Sequence, residues 1–253
     1  MNNKKAKRTN LTSALQSVYH DAISLETTQT CECTCCKVAM PQINYSEFVN
    51  IVSSLWRNAD KEKKIQIICT SIEYWFKNQF EKWGIQALVK PCMFLNRENG
   101  LCTIYKNRPL NCRMYGLWPK EEYERRVDRF AKSFEKYGLS REDLPLHKQC
   151  DKVKRTDESV ALTTEKINAL FAKLDDLDKS MGDFSTLQVN QRENYRTFHD
   201  WLLLKIFGDQ WLAMLTSFML AADRKAIEEQ LEAIKISVTA SFSANMPDIE
   251  EKI

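Results

Sequence analysis

The alternation of apolar and polar residues predicts helices along much of the N-terminal part of the chain. A short amphipathic segment runs from Leu11 to Leu25, and the run NYSEFVNIVSSLWRN predicts a helix that starts near Ser46. A longer helix is expected after Asp60, a residue type that caps helices, with Gly84 as its end. Its apolar residues follow the spacing that places side chains on one helix face, and they are Ile65, Ile68, Cys69, Ile72, Phe76 and Phe80.

The later part of the chain has the same helical character. The run PKEEYERRVDRFAKSFEKYG opens with Pro119 and closes with Gly138, the asymmetry expected of a helix. Three longer patterns follow, over Asp157–Met181, Val189–Phe207 and Asp209 to about Phe242. Charged residues occupy one side of these patterns and apolar residues the other, so we expect a bundle-like packing surface.

A compact irregular region lies between these helical parts. In VKPCMFLNRENGLCTIYKNRPLNCRMYGLWP, the pair Asn99-Gly100 is a strong tight-turn signal and predicts a small hairpin that carries Cys92 and Cys102. The predicted fold is therefore mainly α, with a small cysteine-rich region and a bundle-like C-terminal half. The expected regions are an N-terminal tail and short helix over 1–30, a cysteine-cluster metal-binding domain over 31–150 and a helical region over 157–253.

Charge and hydropathy argue against several classes of protein. The net charge, 37 − 34 = +3, is too small to predict a nucleic-acid partner. No apolar run follows the basic N-terminal residues, so a secretory signal is not expected. The longest apolar stretch, Trp211–Ala222, has about 12 residues, whereas spanning a bilayer takes roughly 20. We therefore expect a cytoplasmic protein without a membrane span.

The cysteines are distributed unevenly along the chain. Nine are present, four of them within the run CECTCC, and none follows Cys150. Because the cytoplasm keeps thiols reduced, clustered cysteines there are more often metal ligands or redox groups than disulfides. Cys69 is the exception, since it lies in the apolar stripe of a predicted helix and is expected to be a buried structural thiol.

The other eight cysteines are the candidate metal ligands. Eight is twice four, and four thiolates complete one tetrahedral zinc site or hold one iron–sulfur cluster. In an extended backbone Cys36 faces away from the three cysteines before it, so the run suits two neighbouring centres or one centre with surplus thiols. His147, three residues before the last cysteine, is a further candidate, with an ordinary loop position as the alternative. The full candidate set is Cys31, Cys33, Cys35, Cys36, Cys92, Cys102, Cys112 and Cys150.

Basic residues lie among these cysteines. A centre built from several thiolates carries a net negative charge, which needs nearby cations when the site is partly buried. Arg108 and Arg113 have N–H groups that can reach sulfur or a bound anion, with a solvated loop surface as the alternative. Lys90 and Lys106 add positive charge in the same segment.

The order of these residues resembles that of the YkgJ-type cysteine-cluster family, described as a zinc- or iron-chelating domain. The pattern in this chain is C-x-C-x-C-C, then P-C-x-F-L…G-x-C-x-I-Y-x-x-R-P-x-x-C-R and a distal cysteine, over roughly residues 31 to 150. That family usually has CxxCxxCC, whereas both spacers here are one residue, so Cys31 and Cys33 are shifted. The matching residues are Cys35, Cys36, Pro91, Cys92, Phe94, Leu95, Cys102, Ile104, Tyr105, Arg108, Pro109, Cys112 and Arg113.

The resemblance implies a cysteine-bound metal centre, with Tyr105, Arg108 and Arg113 as cofactor-binding residues beside it. We favour an iron–sulfur cluster, such as a 4Fe–4S cluster, with a redox, assembly or accessory role. The alternatives are structural zinc in an interaction scaffold and a peptide- or protein-modifying enzyme, because some larger relatives are flagellin lysine N-methylases. A protein partner or a peptide substrate is therefore expected.

Several common catalytic motifs are absent from the sequence. The six glycines are never closer than sixteen residues apart, so neither a GxGxxG fingerprint nor a Walker loop occurs. The CxxxCxxC motif of radical-SAM enzymes, the ferredoxin run CxxCxxCxxxCP and the HExxH motif are also missing. These absences argue against an ordinary Rossmann methyltransferase, an NTPase and a zincin.

Overall fold

The computed structural model describes residues 2–23, 34–78, 91–150, 163–181, 196–208, 213, 223–247 and 249. These residues form eight α-helices and two strands of two residues each, which confirms the prediction of a mainly α fold. The helices are α1 (Asn2–Ile23), α2 (Tyr45–Asn58), α3 (Lys61–Asn78), α4 (Leu110–Met114), α5 (Lys120–Phe134), α6 (Thr164–Ser180), α7 (Phe198–Phe207) and α8 (Arg224–Ala244). The strands are β1 (Gln42–Ile43) and β2 (Arg196–Thr197).

The chain divides into two compact units, each of which is discontinuous in sequence. Each region expected from the sequence is one continuous stretch of the chain, whereas each of these units combines two separate stretches. Both the cysteine-rich segment and α6 fall in the first unit. Unit 1 comprises Met1–Asn50 and Leu88–Tyr195, and unit 2 comprises Ile51–Ala87 and Arg196–Ile253.

The core of unit 1 forms where α1 packs against α6 and α4. The buried face of α1 includes Leu15 and Tyr19, and that of α6 includes Ile167 and Leu174. Leu15 and Tyr19 are four residues apart and Ile167 and Leu174 are seven apart, so each helix presents one apolar stripe. The predicted helix over Leu11–Leu25 corresponds to the later part of α1, which begins at Asn2 and ends at Ile23, and its last two residues lie outside the described residues.

A carboxylate from α6 caps the N-terminus of α2. Asp178, whose exposed fraction is 1%, accepts hydrogen bonds from the backbone N–H groups of Tyr45 at 3.1 Å and Ser46 at 2.7 Å. The side-chain amide of Asn44 donates to the same carboxylate at 3.0 Å. Helix N-termini carry unpaired N–H groups and favour negative charge. Asp178 therefore ties the C-terminal segment of unit 1 to its N-terminal segment.

Helix boundaries in the middle of the chain follow the local signals in the sequence. The side chain of Asp60 accepts a hydrogen bond of 2.8 Å from the N–H of Lys63 and caps α3, as predicted. α5 begins directly after Pro119, and the 3₁₀ turn that follows it ends at Gly138 with a φ of +73°. A left-handed residue after a helix favours glycine because it lacks a Cβ. The predicted end at Gly84 lies outside the described residues.

The C-terminal helical patterns correspond to α6, α7 and α8. The predicted starts of all three patterns, and Trp211–Ala222 apart from residue 213, lie outside the described residues. Among the helices that the structure describes, none has the length and the apolar character needed to cross a membrane.

Unit 2 is built around α3, which packs against α7 and α8. Most of α7 is buried, including Trp201 and Leu202, and a capping box between Thr197 and Asp200 starts it. Cys69 lies on α3 with its Sγ 3.7 Å from the hydroxyl of Thr239 on α8. Cys69 is half-buried rather than buried.

A histidine in α7 is enclosed by the helices of unit 2. His199 is 0% exposed, and its Nδ1 lies 2.9 Å from the hydroxyl of Ser71. That hydroxyl donates to the carbonyl of Ile67 at 2.8 Å, so Nδ1–H is the donor towards Ser71 and Nε2 carries a lone pair. The ring of Tyr74 stacks on the imidazole at 4.1 Å. Burial lowers the pKa of His199 from 6.5 to about 3, because the charged form loses its hydration.

We expect the stability of unit 2 to fall in mild acid because of His199. The unfolded chain binds a proton near pH 6.5, whereas the folded chain resists protonation down to about pH 3. Between these values the free energy of unfolding should decrease by about 1.4 kcal/mol per pH unit as the pH falls. Urea unfolding of wild type and His199→Phe between pH 7 and pH 4 measures this slope. An equally steep slope in the variant would contradict the assignment.

Candidate metal centre

Five of the predicted ligands come together in unit 1. Cys35, Cys36, Cys92, Cys102 and Cys112 line one cavity of about 30 Å³. They arise from three separate segments, which are the 3₁₀ turn Cys35–Lys37, the region around the tight turn that follows residue 91, and α4. The tertiary structure thus brings distant cysteines of the sequence pattern around one small space.

Backbone hydrogen bonds hold the first two segments next to each other. The N–H of Cys92 donates to the carbonyl of Cys36 at 2.7 Å, and the N–H of Ala39 donates to the carbonyl of Cys35 at 2.9 Å. The first bond joins two cysteine segments directly, and the second closes the turn that presents Cys35 and Cys36. The positions of these thiols are therefore set by the backbone.

The predicted hairpin is a tight turn closed by one antiparallel bridge, between Leu95 and Cys102. The N–H of Asn96 donates to the carbonyl of Leu101 at 2.8 Å, and Gly100 adopts a φ of +69° within the turn. Glycine suits this left-handed position because a Cβ would strain it. The turn reverses the chain and returns Cys102 to the cavity that Cys92 lines.

A buried carboxylate positions α4, which carries Cys112. Glu47, whose exposed fraction is 1%, accepts hydrogen bonds from the N–H of Leu110 at 2.6 Å and the hydroxyl of Tyr19 at 3.1 Å. Its other oxygen accepts from the N–H of Asn44 at 3.1 Å. Burial raises the pKa of Glu47 to about 7, and these hydrogen bonds act in the opposite direction. Glu47 thereby caps α4 two residues before Cys112.

The thiols lie close enough to influence one another. Desolvation raises the pKa of the Cys112 thiol well above its usual value, and the neighbouring Cys35, Cys36 and Cys102 raise it further. Several thiolates in one small space repel each other, and a bound cation reverses this effect by stabilising the deprotonated form. The kind and convergence of these donors fit a zinc ion or an iron–sulfur cluster.

A second, larger pocket shares three of these cysteines. Its volume is about 280 Å³, and Cys35, Cys36 and Cys112 form part of its wall. The aromatic residues Tyr115 and Trp118 also line it. The three shared thiols therefore border both the small cavity and a space large enough for an additional group. The other lining residues are Ala39, Met40, Pro41, Gln42, Asn111 and Leu146.

The predicted cofactor-binding residues divide into two positions. Tyr105 and Arg108 line the small cavity, and the guanidinium of Arg108 lies 4.3 Å from the centre of the Tyr105 ring. Arg113 donates from Nε to the carbonyl of Arg108 at 2.9 Å and from Nη2 to the carbonyl of Lys106 at 2.8 Å. Its guanidinium also covers the ring of Tyr19 at 4.3 Å. The hydrogen bonds of Arg113 therefore stabilise the loop that contains Arg108.

Other predicted site residues lie elsewhere or cannot be placed. Cys31, Cys33 and Lys90 lie outside the described residues. Cys150 is not among the residues that line these two cavities, and Nδ1 of His147 lies 2.9 Å from the carbonyl of Leu144. Within the described part of the chain, no group of three or more His, Cys, Asp or Glu side chains has the arrangement of a metal site. The ligand set therefore stays a prediction.

Two residues of the site were not identified from the sequence. The sequence offers only a weak indication for Glu47, which is an acidic residue in the first turn of α2 with the apolar residues Phe48 and Val49 directly after it. Nothing in the sequence singles out Met40, which lies four residues after Cys36, because methionine is an ordinary residue for filling gaps in a core. Their roles depend on contacts with α4 and with Cys92, respectively.

The comparison with known protein families gives a match over part of the chain. Residues 27–133 match the CxxCxxCC family, which is described as a "putative zinc- or iron-chelating domain". This match confirms the family resemblance and supports metal binding in general. No curated protein and no solved structure matches the chain.

Proposed function

We propose that unit 1 is a metal-binding domain whose cysteines hold an iron–sulfur cluster with a redox, assembly or accessory role. The observation that carries this proposal is the convergence of five cysteines from three segments around one cavity. The match to a zinc- or iron-chelating family supports the same general chemistry. Four thiolates are sufficient to hold one cluster.

The larger pocket favours a cluster over a single closed ion. Cys35, Cys36 and Cys112 border both the small cavity and the pocket of about 280 Å³, so these thiols are accessible from a side with room for several atoms. An iron–sulfur cluster supplies reversible one-electron transfer when it is bound by thiolates. Accessible thiols suit exchange or electron transfer, whereas structural sites are usually closed.

The surrounding residues prepare the site for a negatively charged centre. Arg108 lines the small cavity and contributes a positive charge there. Arg113 holds the carbonyls of the loop that contains Arg108, and Glu47 holds the first turn of α4. These contacts fix the donors before a metal arrives, which reduces the entropy lost on binding.

Structural zinc is the second candidate, and the size of the small cavity favours it. Its volume of about 30 Å³ is above the roughly 10–15 Å³ that a cavity needs to hold one water molecule. A single ion fits such a space. In that case four of the five cysteines would complete a tetrahedral site, and the domain would act as a scaffold for a partner.

Metal analysis of the anaerobically purified chain separates the two candidates. We expect iron and sulfide in stoichiometric amounts, together with absorption in the visible region. A colourless protein with one equivalent of zinc rejects the cluster and supports the scaffold. A protein that binds neither metal after reconstitution contradicts both.

A further inference from the structure

The wall of the larger pocket contains a residue with an unusual backbone conformation. Leu146 lines this pocket and adopts a φ of +61°. Among the described residues, it is the one residue other than glycine with a positive φ. Leucine is disfavoured in this left-handed region, because its Cβ comes too close to the following carbonyl oxygen. The fold therefore holds Leu146 in a conformation that by itself opposes folding.

Two tyrosine hydroxyls hold the loop that carries Leu146. The hydroxyl of Tyr123 donates to the carbonyl of Leu146 at 2.6 Å. The hydroxyl of Tyr115, which itself lines the larger pocket, donates to the carbonyl of Lys148 at 2.9 Å. A strained residue persists only where its surroundings determine its conformation. These bonds supply that constraint and fix the loop against the wall of the pocket.

The side chain of Leu146 lies between the pocket and the solvent. It is half-buried and lines the pocket. A glycine would adopt the same φ without strain, so the backbone alone does not require leucine here. What leucine adds is an apolar side chain beside thiols that are themselves half-buried. These pocket thiols are those of Cys35, Cys36 and Cys112, which line the same pocket.

We propose that the side chain of Leu146 shields the pocket thiols and limits the access of oxidants and chelators to them. The proposal rests on the proposed function where it treats these thiols as ligands of a metal centre. An apolar shell around a metal site controls the access of solvent, and the reaction of a thiolate with oxidants increases with its exposure. A side chain at this border therefore determines how long the centre keeps its metal and its reduced thiols.

The variants Leu146→Ala and Leu146→Gly test the proposal, because both remove the side chain and only glycine relieves the backbone strain. We expect the rate at which iodoacetamide modifies the pocket thiols of the full chain to rise about fivefold or more in both variants. Mass spectrometry of the labelled peptides measures this rate. The half-time of metal loss to excess EDTA should shorten in both variants as well. Leu146→Gly should melt about 2–4 °C above Leu146→Ala, because alanine keeps the strained conformation.

Leu144→Val is the matched control in the same loop. Leu144 is 2% exposed and lines neither cavity, so its replacement should change the labelling of the pocket thiols by less than about twofold. Two other cysteines serve as internal references within each variant. Cys69 lies in unit 2 and Cys150 lies directly after the loop, and both should react at the wild-type rate.

Three results would overturn the proposal. Unchanged labelling of the pocket thiols in both variants shows that Leu146 does not shield them. A rise in Leu146→Ala alone assigns the effect to the backbone strain and not to the lost side chain. An equal rise at Cys150 shows that the whole loop has opened. A wild-type chain that takes up no metal after reconstitution refutes the proposed function, whereas the labelling pattern still decides whether Leu146 shields the thiols.

Discussion

Replacement of Cys112 by serine should leave less than about a tenth of the wild-type metal content, because thiolate ligands carry both the affinity and the charge of such a centre. Cys112 borders the small cavity and the larger pocket, and three other cysteines influence its pKa. A serine hydroxyl does not ionise at neutral pH and is a poor ligand for soft metals. Mass spectrometry of the metal content per chain measures the loss.

The control for this experiment is Cys69→Ser, which alters the cysteine on α3 in unit 2. We expect its metal content to equal that of wild type. Cys102→Ser provides a second test at the small cavity. Because five cysteines line the cavity and four thiolates complete a centre, at most one of the five can be dispensable, so reconstitution with iron and sulfide, or with zinc, should fail in at least one of Cys112→Ser and Cys102→Ser. Full metal content in both of these folded variants would refute the proposed centre.

Replacement of Asp178 by alanine should reduce the free energy of unfolding of unit 1 by about 2–5 kcal/mol. Asp178 accepts hydrogen bonds from the N–H groups of Tyr45 and Ser46 at the start of α2. Its removal leaves these two buried donors without that partner, and each such group costs about 1–3 kcal/mol. Urea unfolding followed by circular dichroism measures the change.

Asp176→Ala is the matched control on the same helix. Its side chain is 75% exposed and pairs only locally with Lys179, so we expect a change within about 0.5 kcal/mol. Similar losses in both variants would mean that α6 itself is weakened, and that the cap on α2 does not explain the effect.

Metal content should also fall in Asp178→Ala, because Asn44 contacts both Asp178 and Glu47.

The local features of the fold follow from short-range signals. The cap at Asp60, the turn at Asn99-Gly100 and the helix between Pro119 and Gly138 each depend on residues a few positions apart. Such signals act through backbone conformation and neighbouring hydrogen bonds, which a sequence displays directly. The mainly α fold was therefore predictable from periodicity.

The candidate site was only partly predictable. Spacing and resemblance identified the cysteines, because few residue types bind soft metals and their clustering is conspicuous. The sequence pattern did not reveal that Cys35, Cys36 and Cys112 border two spaces, or that Arg113 bonds to loop carbonyls. These facts depend on how separate segments pack.

The sequence by itself determined the helical class of this protein and the thiol chemistry of its candidate centre. The tertiary structure alone decided that α6 belongs with α1 in unit 1, and that Asp178 caps a helix whose first residues lie more than 130 positions earlier. It also decided that Glu47 holds the helix of Cys112, and that Met40 meets Cys92. The physical reason is that hydrophobic periodicity specifies which face of a helix is buried, whereas the partners of a buried polar group depend on the register in which those faces pack.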